Sequence, residues 1–349
     1  MVQVGFLSIA ALVASAAAVP AKRSCDKIHV RRDWNSLNGD EKANFLGAIK
    51  CMMQKPTISI NGVDQVSRFE DYTYIHQYPG YAIHWVARFL PWHRWFVYAY
   101  HQELQECGYE GAMPYWAWEQ DYQDLSASNI WNADPEIGFG TYGNFDYNNV
   151  YNATVVTDGA FANHDINFPF PHKLSRNLPS SANLPWDGPG PYAQRGYNPE
   201  AMKNLTNIAT YKEFSVLLES PDPLHNPSGI PGSHGAIHLS LSADMASNHG
   251  NNSSPNDPLF YMHHSNIDRI WSSWQALDEK HLYDYEGNTD FYWSTGMRSG
   301  LPASLDDPLL YGEANALGSE NLKVKDVMDT TEWPLCYTYE DLEPWVFRG

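Results

Sequence analysis

Apolar and polar positions alternate at helical intervals near the start of the chain. Asn38 and Glu41 have the spacing of a capping box, and apolar residues follow them three and four positions apart. This pattern predicts a first helix over roughly residues 39–54. A second helix is predicted to begin near Pro91, a residue type favoured in the first helical turn, and to end near Cys107.

Helical periodicity returns twice in the second half of the chain, over residues 204–220 and 264–281. Between about residues 119 and 200 the sequence is rich in Asn, Asp, Pro and Gly without a lasting period, which indicates long loops. We find no internal repeat and no low-complexity linker. The sequence therefore predicts one mainly α domain with long loops and minor short strands.

The N-terminal segment has the pattern of a secretory signal peptide. Residues 1–18 hold an apolar run that is too short to span a bilayer and that ends in small residues. Lys22 and Arg23 form a dibasic pair, so further trimming to about residue 23 is expected. No later segment reaches ~18 uninterrupted apolar residues, the length of a membrane span. We expect residues 24–349 to be a single secreted, extracellular domain that does not enter a membrane.

Composition and charge narrow the classes of function. The chain has 349 residues, with 22 Lys and Arg against 41 Asp and Glu, which gives a formal net charge of −19. Nucleic-acid binding needs a basic surface, so this charge argues against it. Hydrophobic residues make up 43% and aromatic residues 14%, enough for a buried core and for a site that accepts flat ligands. We expect small-molecule partners and leave the oligomeric state open.

The cysteines and the Asn sequons agree with export. Four cysteines in an oxidising compartment are expected to form two disulfides, for which three pairings exist. The cysteines are Cys25, Cys51, Cys107 and Cys336. Sequons for N-glycosylation begin at Asn152, Asn204, Asn251 and Asn252.

The 14 histidines are not spread evenly, because several of them form two groups. The first group is His76, His84 and His93, and the second is His234, His238, His263 and His264. The first two members of the second group are four residues apart, which places them one above the other on a helix face. Neutral imidazole suits Zn, Cu, Fe and Ni, and neither group has a carboxylate or thiolate at ligand spacing. The grouping predicts metal sites built from histidine alone.

Two segments resemble the copper-binding signatures of the tyrosinase, catechol oxidase and hemocyanin superfamily, in its short fungal branch. They are HWVARFLPWHRW at residues 84–95 and DPLFYMHHSNIDRIW at residues 257–271. The resemblance covers nearly the whole mature chain and implies a four-helix bundle core that holds two copper ions, with O2 as co-substrate. The implied ligands are His76, His84 and His93 for copper A, and His234, His238 and His264 for copper B.

The resemblance also selects between two adjacent histidines. The family pattern has its ligand four residues before an Asp, here Asp268, and this spacing selects His264. Neighbouring helical positions point in different directions, so His263 would lie beside the ligands. The residues expected around the ligands or in the substrate pocket are Gly235, Leu239, Phe260, His263 and Asp268.

Helix ends and the resemblance together favour one pairing of the cysteines. A Cys51–Cys107 bond would join the ends of two predicted helices, and a Cys25–Cys336 bond would then join the two ends of the domain. The segment Tyr337–Tyr339 resembles the tyrosine motif that closes the catalytic domain. No C-terminal shielding domain is therefore expected.

The chain departs from the family pattern at three positions that bear on the chemistry. Many members have a Cys that forms a thioether with the second copper A ligand, but Ala82 stands there, so His84 should move more freely. His101 replaces a usual Glu. Gly235 follows the first copper B ligand, where strongly hydroxylating relatives often have Asn.

The resemblance implies an oxidase that converts o-diphenols, and o-aminophenols, to quinones. Because Gly235 offers no side chain, we expect weak or absent hydroxylation of monophenols. The alternatives are a full tyrosinase that hydroxylates monophenols and a hemocyanin-like O2 carrier without turnover. A zinc hydrolase fits less well, because no Glu accompanies the pair His234 and His238 as a general base.

Overall fold

The computed structural model describes eight stretches of the chain. They are residues 24–142, 155–177, 194–219, 232–246, 252–292, 297–309, 317–318 and 321–343. The expected signal peptide at residues 1–18 and the sequons at Asn152 and Asn251 lie outside the described residues.

Seven α-helices and six short strands form the regular structure of the described stretches. The helices are α1 (Gly39–Gln54), α2 (Arg68–Gln77), α3 (Phe89–Glu106), α4 (Pro199–Thr206), α5 (Tyr211–Glu219), α6 (Ser233–Leu241) and α7 (Leu259–Leu277). The strands are β1 (His29–Arg31), β2 (Asp165–Ile166), β3 (His172–Lys173), β4 (Asn288–Tyr292), β5 (Met297–Pro302) and β6 (Tyr337–Tyr339). The prediction of a mainly α domain with minor strands is confirmed.

The first helix is confirmed together with its cap. Asn38 Oδ1 accepts from Glu41 N–H at 3.0 Å, and Glu41 Oε2 accepts from Asn38 N–H at 2.9 Å, so each residue satisfies a backbone group of the other. α3 begins at Phe89, two residues earlier than predicted. Pro91 is tolerated there because the first N–H groups of a helix have no intrahelical partner to lose.

The periodic segment 204–220 is not one helix. It is divided between α4 and α5, because polar side chains stop one helix and start the next. Asn207 Nδ2 donates to the Lys203 carbonyl at 3.2 Å and closes α4, and Thr210 Oγ1 accepts from Glu213 N–H at 3.4 Å at the start of α5.

α7 also begins earlier than the periodicity indicated, at Leu259. Asp257 precedes the helix and stabilises its first turn, because Asp257 Oδ1 accepts from Leu259 N–H at 2.9 Å. The same carboxylate forms an ion pair with buried Arg176. The adjacent histidines therefore lie in the second turn of the helix rather than at its start.

α2 was not predicted because its charged residues are buried. Arg68, Glu70 and Asp71 are each less than 5% exposed, so the helix has no polar stripe that faces solvent. Arg68 pairs with Asp71 at 3.1 Å, and Glu70 accepts from Ser67 N–H at 2.8 Å in a second capping box. The charged side chains of this helix are thus stabilised by partners inside the protein instead of by water. The helix therefore has no separate polar and apolar faces that its sequence would reveal.

The two ends of the described chain meet at a small parallel sheet. β1 pairs with β6, with His29 opposite Tyr337, and the Cys25–Cys336 disulfide lies beside this pair. The second disulfide, Cys51–Cys107, joins the end of α1 to the end of α3. Both bonds have the pairing that was expected.

The core lies between α3 and α7, which pack against each other at the centre of the domain. Phe96 of α3 stacks on Tyr261 of α7 with ring centroids 5.9 Å apart, and Tyr100 stacks on the same ring at 3.5 Å. Within the described stretches no helix combines the length and the apolar character needed to cross a bilayer. The helices that surround this core, α2, α3, α6 and α7, carry all but one of the grouped histidines.

Candidate metal centre

The structure brings the grouped histidines together as two adjacent clusters. One ring nitrogen from each of His76, His84 and His93 lies within 4.8 Å of the others, and the same holds for the second group. The second group contains His234, His238, His263 and His264. Almost all of these side chains are buried, so the clusters lie inside the helical core.

Five of these histidines are held in the same way, by a bond between ring Nδ1 and a backbone carbonyl. The bonds are His76 to Asn252 at 2.7 Å, His84 to Gly80 at 3.0 Å, His93 to Phe89 at 2.8 Å, His234 to Glu219 at 3.0 Å and His238 to Met245 at 2.5 Å. A carbonyl only accepts, so Nδ1 carries the proton and Nε2 carries a lone pair. This is how metal-binding imidazoles are usually oriented.

The first cluster places two such lone pairs against each other. His76 Nε2 and His93 Nε2 are 3.3 Å apart. Burial, together with the neighbouring imidazoles, holds the pKa of both rings well below the usual range, so both are neutral. Two lone pairs at this distance repel each other unless a cation lies within reach of both. The cluster therefore fits a metal ion.

The second cluster has buried nitrogens without hydrogen-bond partners. Among the described residues, neither ring nitrogen of His263 or His264 has a partner, and His234 Nε2 has none. Leaving such groups unpaired costs about 1–3 kcal/mol each, and coordination of a metal ion removes that cost. Because all four cysteines are in disulfides, no thiolate competes as ligand. A set of neutral imidazoles suits Cu or Zn rather than Mg or Ca.

His263 and His264 face different surroundings. The His264 ring lies 4.5 Å from the His93 ring and is within 13° of parallel to it, so it points towards the first cluster. The His263 ring lies 5.9 Å from buried Trp118 and stacks on the His234 ring at 5.4 Å. His264 thus lies between the two clusters, whereas His263 lies on the far side of the second.

Apolar rings fill the space around the imidazoles. Phe260 is fully buried, with its ring centroid 4.2 Å from that of His264 and 5.1 Å from that of His76. Phe89 lies 4.8 Å from both His93 and His234. These rings keep bulk water away from the nitrogens and limit the movement of the imidazoles.

Asp268 is buried but does not contact the histidines. Its carboxylate accepts from Arg94 Nε and from the hydroxyls of Tyr337 and Tyr339, each at 2.5 Å, and lies 3.4 Å from Arg31 Nη1. Burial alone would raise the pKa of Asp268, but Arg94 and Arg31 outweigh this and hold it below the usual range. Asp268 therefore joins α7 to α3 and β6 rather than orienting a ligand.

Gly235 and Leu239 mark one face of α6. They are four residues apart, so they lie on the same side of the helix, and each directly follows a histidine of the second cluster. The Leu239 side chain is 50% exposed, and Gly235 is half-buried. Neither residue is charged, and both are reached by solvent.

The departures at Ala82 and His101 have structural consequences. Ala82 ends a short helical turn before His84, which lies in a loop and makes no covalent crosslink. His101 is buried, and its Nε2–H donates to the Gly111 carbonyl at 2.8 Å. Burial lowers the pKa of His101 to about 4, so the ring is neutral where the family usually carries a carboxylate.

Several backbone groups that position the histidine rings could not be predicted from the sequence. Three of the five carbonyls that hold the imidazoles lie outside the helical turn of their histidine: Asn252 is 176 residues from His76, Glu219 is 15 from His234, and Met245 is 7 from His238. The Met245 carbonyl follows two residues with φ of 54° and 46°, Ser242 and Ala243, a left-handed conformation that is costly for side chains other than glycine. Such strain is found where the surrounding structure fixes a functional group.

Comparisons with known proteins agree with this geometry. Residues 66–277 match the family model described as the common central domain of tyrosinase. The tyrosinase-like protein phomQ1 of Diaporthe leptostromiformis is 31% identical, over 91% of this chain and 79% of its own length. A polyphenol oxidase from Thermothelomyces thermophila, solved in a mutant form, is 27% identical with a TM-score of 0.73, covering 90% of each chain. A functional unit of octopus hemocyanin shares the fold alone, at 19% identity and a TM-score of 0.54, over 90% of this chain and 68% of its own.

Proposed function

The chain belongs to the tyrosinase family, whose members are type 3 copper oxidases, and from that premise we propose that it uses O2 to oxidise o-diphenols to quinones. We extend the proposal to o-aminophenols, and we expect hydroxylation of monophenols to be weak or absent. The observation that carries the proposal is the opposed pair of unprotonated nitrogens, His76 Nε2 and His93 Nε2, in a buried cluster of neutral rings.

Two copper ions fit these clusters. Copper A would be held by His76, His84 and His93, and copper B by His234, His238 and His264. When bound, the pair of ions supplies redox chemistry in which two diphenols are oxidised to two quinones while one O2 is reduced to two waters. The protein's task is to hold the imidazoles neutral and oriented, and its backbone carbonyls do this through the Nδ1–H groups.

Access to the site is best explained by the exposed face of α6. Gly235 carries no side chain next to His234, and Leu239 offers an apolar surface next to His238. An aromatic ring can pack on such a surface, but neither residue offers a charge that would bind a carboxylate. We therefore infer that neutral phenolic rings are better substrates than phenolic acids.

The expected preference for diphenols rests on the absence of a side chain at Gly235. A monophenol must lose its proton before it can be oxidised, and a positioned base contributes ~10²–10⁴-fold to such a step. A diphenol loses protons more readily and can bind through either oxygen. The same site should therefore oxidise catechols much faster than it hydroxylates the corresponding phenols.

Matched substrates test the proposal. Oxygen uptake should be measured with 4-methylcatechol, 2-amino-4-methylphenol and 4-methylphenol, on protein whose copper content has been determined and on a zinc-loaded control. We expect two coppers per chain, rapid uptake with the first two compounds and slow uptake with the third. Equally fast uptake with 4-methylphenol would identify a full tyrosinase. Reversible O2 binding without turnover would identify a carrier.

We also propose that the protein is exported and glycosylated. Its two disulfides, Cys25–Cys336 and Cys51–Cys107, are of a kind that persists in oxidising compartments. Among the sequons, Asn204 is exposed on α4 and is the most accessible acceptor of those in the described residues. Protein purified from the culture medium should lose mass on endoglycosidase treatment, and an unchanged mass would contradict glycosylation.

A further inference from the structure

Glu219, the last residue of α5, bonds to a histidine of the second cluster and to the backbone next to a histidine of the first. Its backbone carbonyl accepts from His234 Nδ1–H at 3.0 Å, and its carboxylate accepts from Trp85 N–H at 2.6 Å. Trp85 directly follows His84, so this N–H belongs to the peptide group attached to the His84 Cα. A single residue thus holds the backbone next to a ligand of the first cluster and the ring of a ligand of the second.

His84 depends on such support more than the other members of its cluster. His76 lies on α2 and His93 on α3, whereas His84 lies in the loop between these helices. The next residue, Trp85, has φ of 57°, a left-handed conformation that a residue with a side chain rarely adopts. Ala82 cannot form the thioether that anchors this histidine in many members of the family. The Glu219 carboxylate bonds directly to the strained peptide.

The two clusters are close enough for this support to act on both. The rings of His84 and His234 lie 6.4 Å apart and within 28° of parallel. The carbonyl that holds His234 is at the C-terminal end of α5, where helical carbonyls lack intrahelical partners and are free to accept. The carboxylate extends from the same residue to the loop of His84. Movement of the end of α5 would therefore displace ligands in both clusters.

Glu219 is only 3% exposed, so its carboxylate is held inside the protein beside the loop of His84. A buried carboxylate that bonds to a strained peptide next to a metal ligand indicates a role in the site.

We propose that Glu219 is a positioning residue that fixes His84 and His234 relative to each other, so that the two copper ions are retained as a pair. The inference rests on the proposed function only in that the clusters bind copper. It concerns metal retention and does not depend on the identity of the phenol.

The test compares three substitutions with the copper-loaded, full-length protein. Glu219→Ala removes the acceptor, Glu219→Leu removes it while keeping most of the side-chain volume, and Glu219→Gln keeps an acceptor oxygen without the charge. Glu213→Ala, which changes an exposed glutamate on the same helix, is the control. Copper per chain is measured before and during dialysis against EDTA, with the far-UV circular dichroism of each variant recorded in parallel.

We expect the unmodified protein, Glu213→Ala and Glu219→Gln to keep two coppers per chain. Glu219→Ala and Glu219→Leu should keep the same circular dichroism but lose copper about 10–100-fold more readily, the usual effect of removing a group that orients a ligand. Full retention in both Ala and Leu variants would overturn the inference, as would equal loss in the Gln variant. An unmodified protein that binds no copper at all would instead refute the proposed function.

Discussion

Arg94 of α3 donates from Nε to the carboxylate of Asp268 on α7 at 2.5 Å. Arg94 directly follows His93, and Asp268 lies one helical turn after His264. The ion pair therefore joins the two helices at the level of His93 and His264, whose rings face each other across the clusters. The pair thus fixes α3 relative to α7, although its carboxylate touches no histidine.

Asp268→Asn should destabilise the protein strongly, because it leaves the guanidinium groups of Arg94 and Arg31 buried without a negative partner. Breaking a buried pair in this way costs about 3–5 kcal/mol. The free energy of unfolding from urea titration measures the loss. Asp165→Asn, which breaks the exposed pair with Lys173, should change stability little, and an equal effect of both substitutions would contradict the assignment.

His264→Ala and His263→Ala form a matched pair that separates a ligand from its neighbour. Loss of His264 should leave copper B with two of its three proposed imidazole ligands. The copper content should therefore fall from two ions per chain towards one, and O2 uptake should be abolished. His263→Ala should retain both coppers. The copper content of each variant is measured by atomic absorption. Loss of copper in the His263 variant alone would show that His263, and not His264, is the ligand.

Gly235→Asn should raise monophenol hydroxylation relative to diphenol oxidation. The new amide would lie next to His234, where it can help to position a water that accepts the phenolic proton, and we expect a gain of about tenfold, a fraction of what a full general base supplies. Gly235→Ala is the control for added volume. The ratio of initial rates on 4-methylphenol and 4-methylcatechol is the measurement, and equal ratios in the Asn and Ala variants would count against a role for this position.

His101→Gln should reduce the sensitivity of the protein to acid. The folded-state pKa of His101 is about 4, below the value of about 6.5 in an unfolded chain, so the unfolded state binds the proton first. Its contribution to stability is complete above about pH 6.5 and is lost as pH falls towards 4, by up to about 3 kcal/mol. Gln can still donate to the Gly111 carbonyl but does not titrate.

The His101 measurement is urea unfolding of both proteins, equally copper-loaded, at pH 7 and pH 4.5. Other buried histidines titrate in the same range, so only the difference between variant and unmodified protein reports on His101. We expect the variant to lose less stability on acidification. An unchanged difference between the two pH values would show that His101 is not buried and neutral.

The sequence was sufficient where a local pattern determines the structure. The capping box at Asn38 and Glu41 predicted α1 correctly, and the fixed aromatic, Pro and Asp positions of the two signatures led to the family that the comparisons confirm. The histidine groups were also identified from sequence, because their members are close together along the chain.

The sequence was insufficient where charged groups are buried or where backbone groups position the histidines. α2 was missed because Arg68 and Asp71 satisfy each other inside the protein, so hydrophobic periodicity is lost. Glu219 was missed because its role depends on where α5 ends and on one peptide N–H far away in sequence. Every residue has a backbone carbonyl, so the residue type does not predict which carbonyl will accept a hydrogen bond from an imidazole.

The bond between Cys25 and Cys336, which are 311 residues apart in sequence, makes the polypeptide between them a closed covalent ring. Hydrolysis of any one peptide bond inside that ring opens it without releasing a fragment, and every histidine of the two clusters lies within it. A molecule nicked once by an external protease would therefore keep all the histidines of both clusters in one covalently linked molecule. Such damage would give separate fragments on a gel only after a thiol reductant is added.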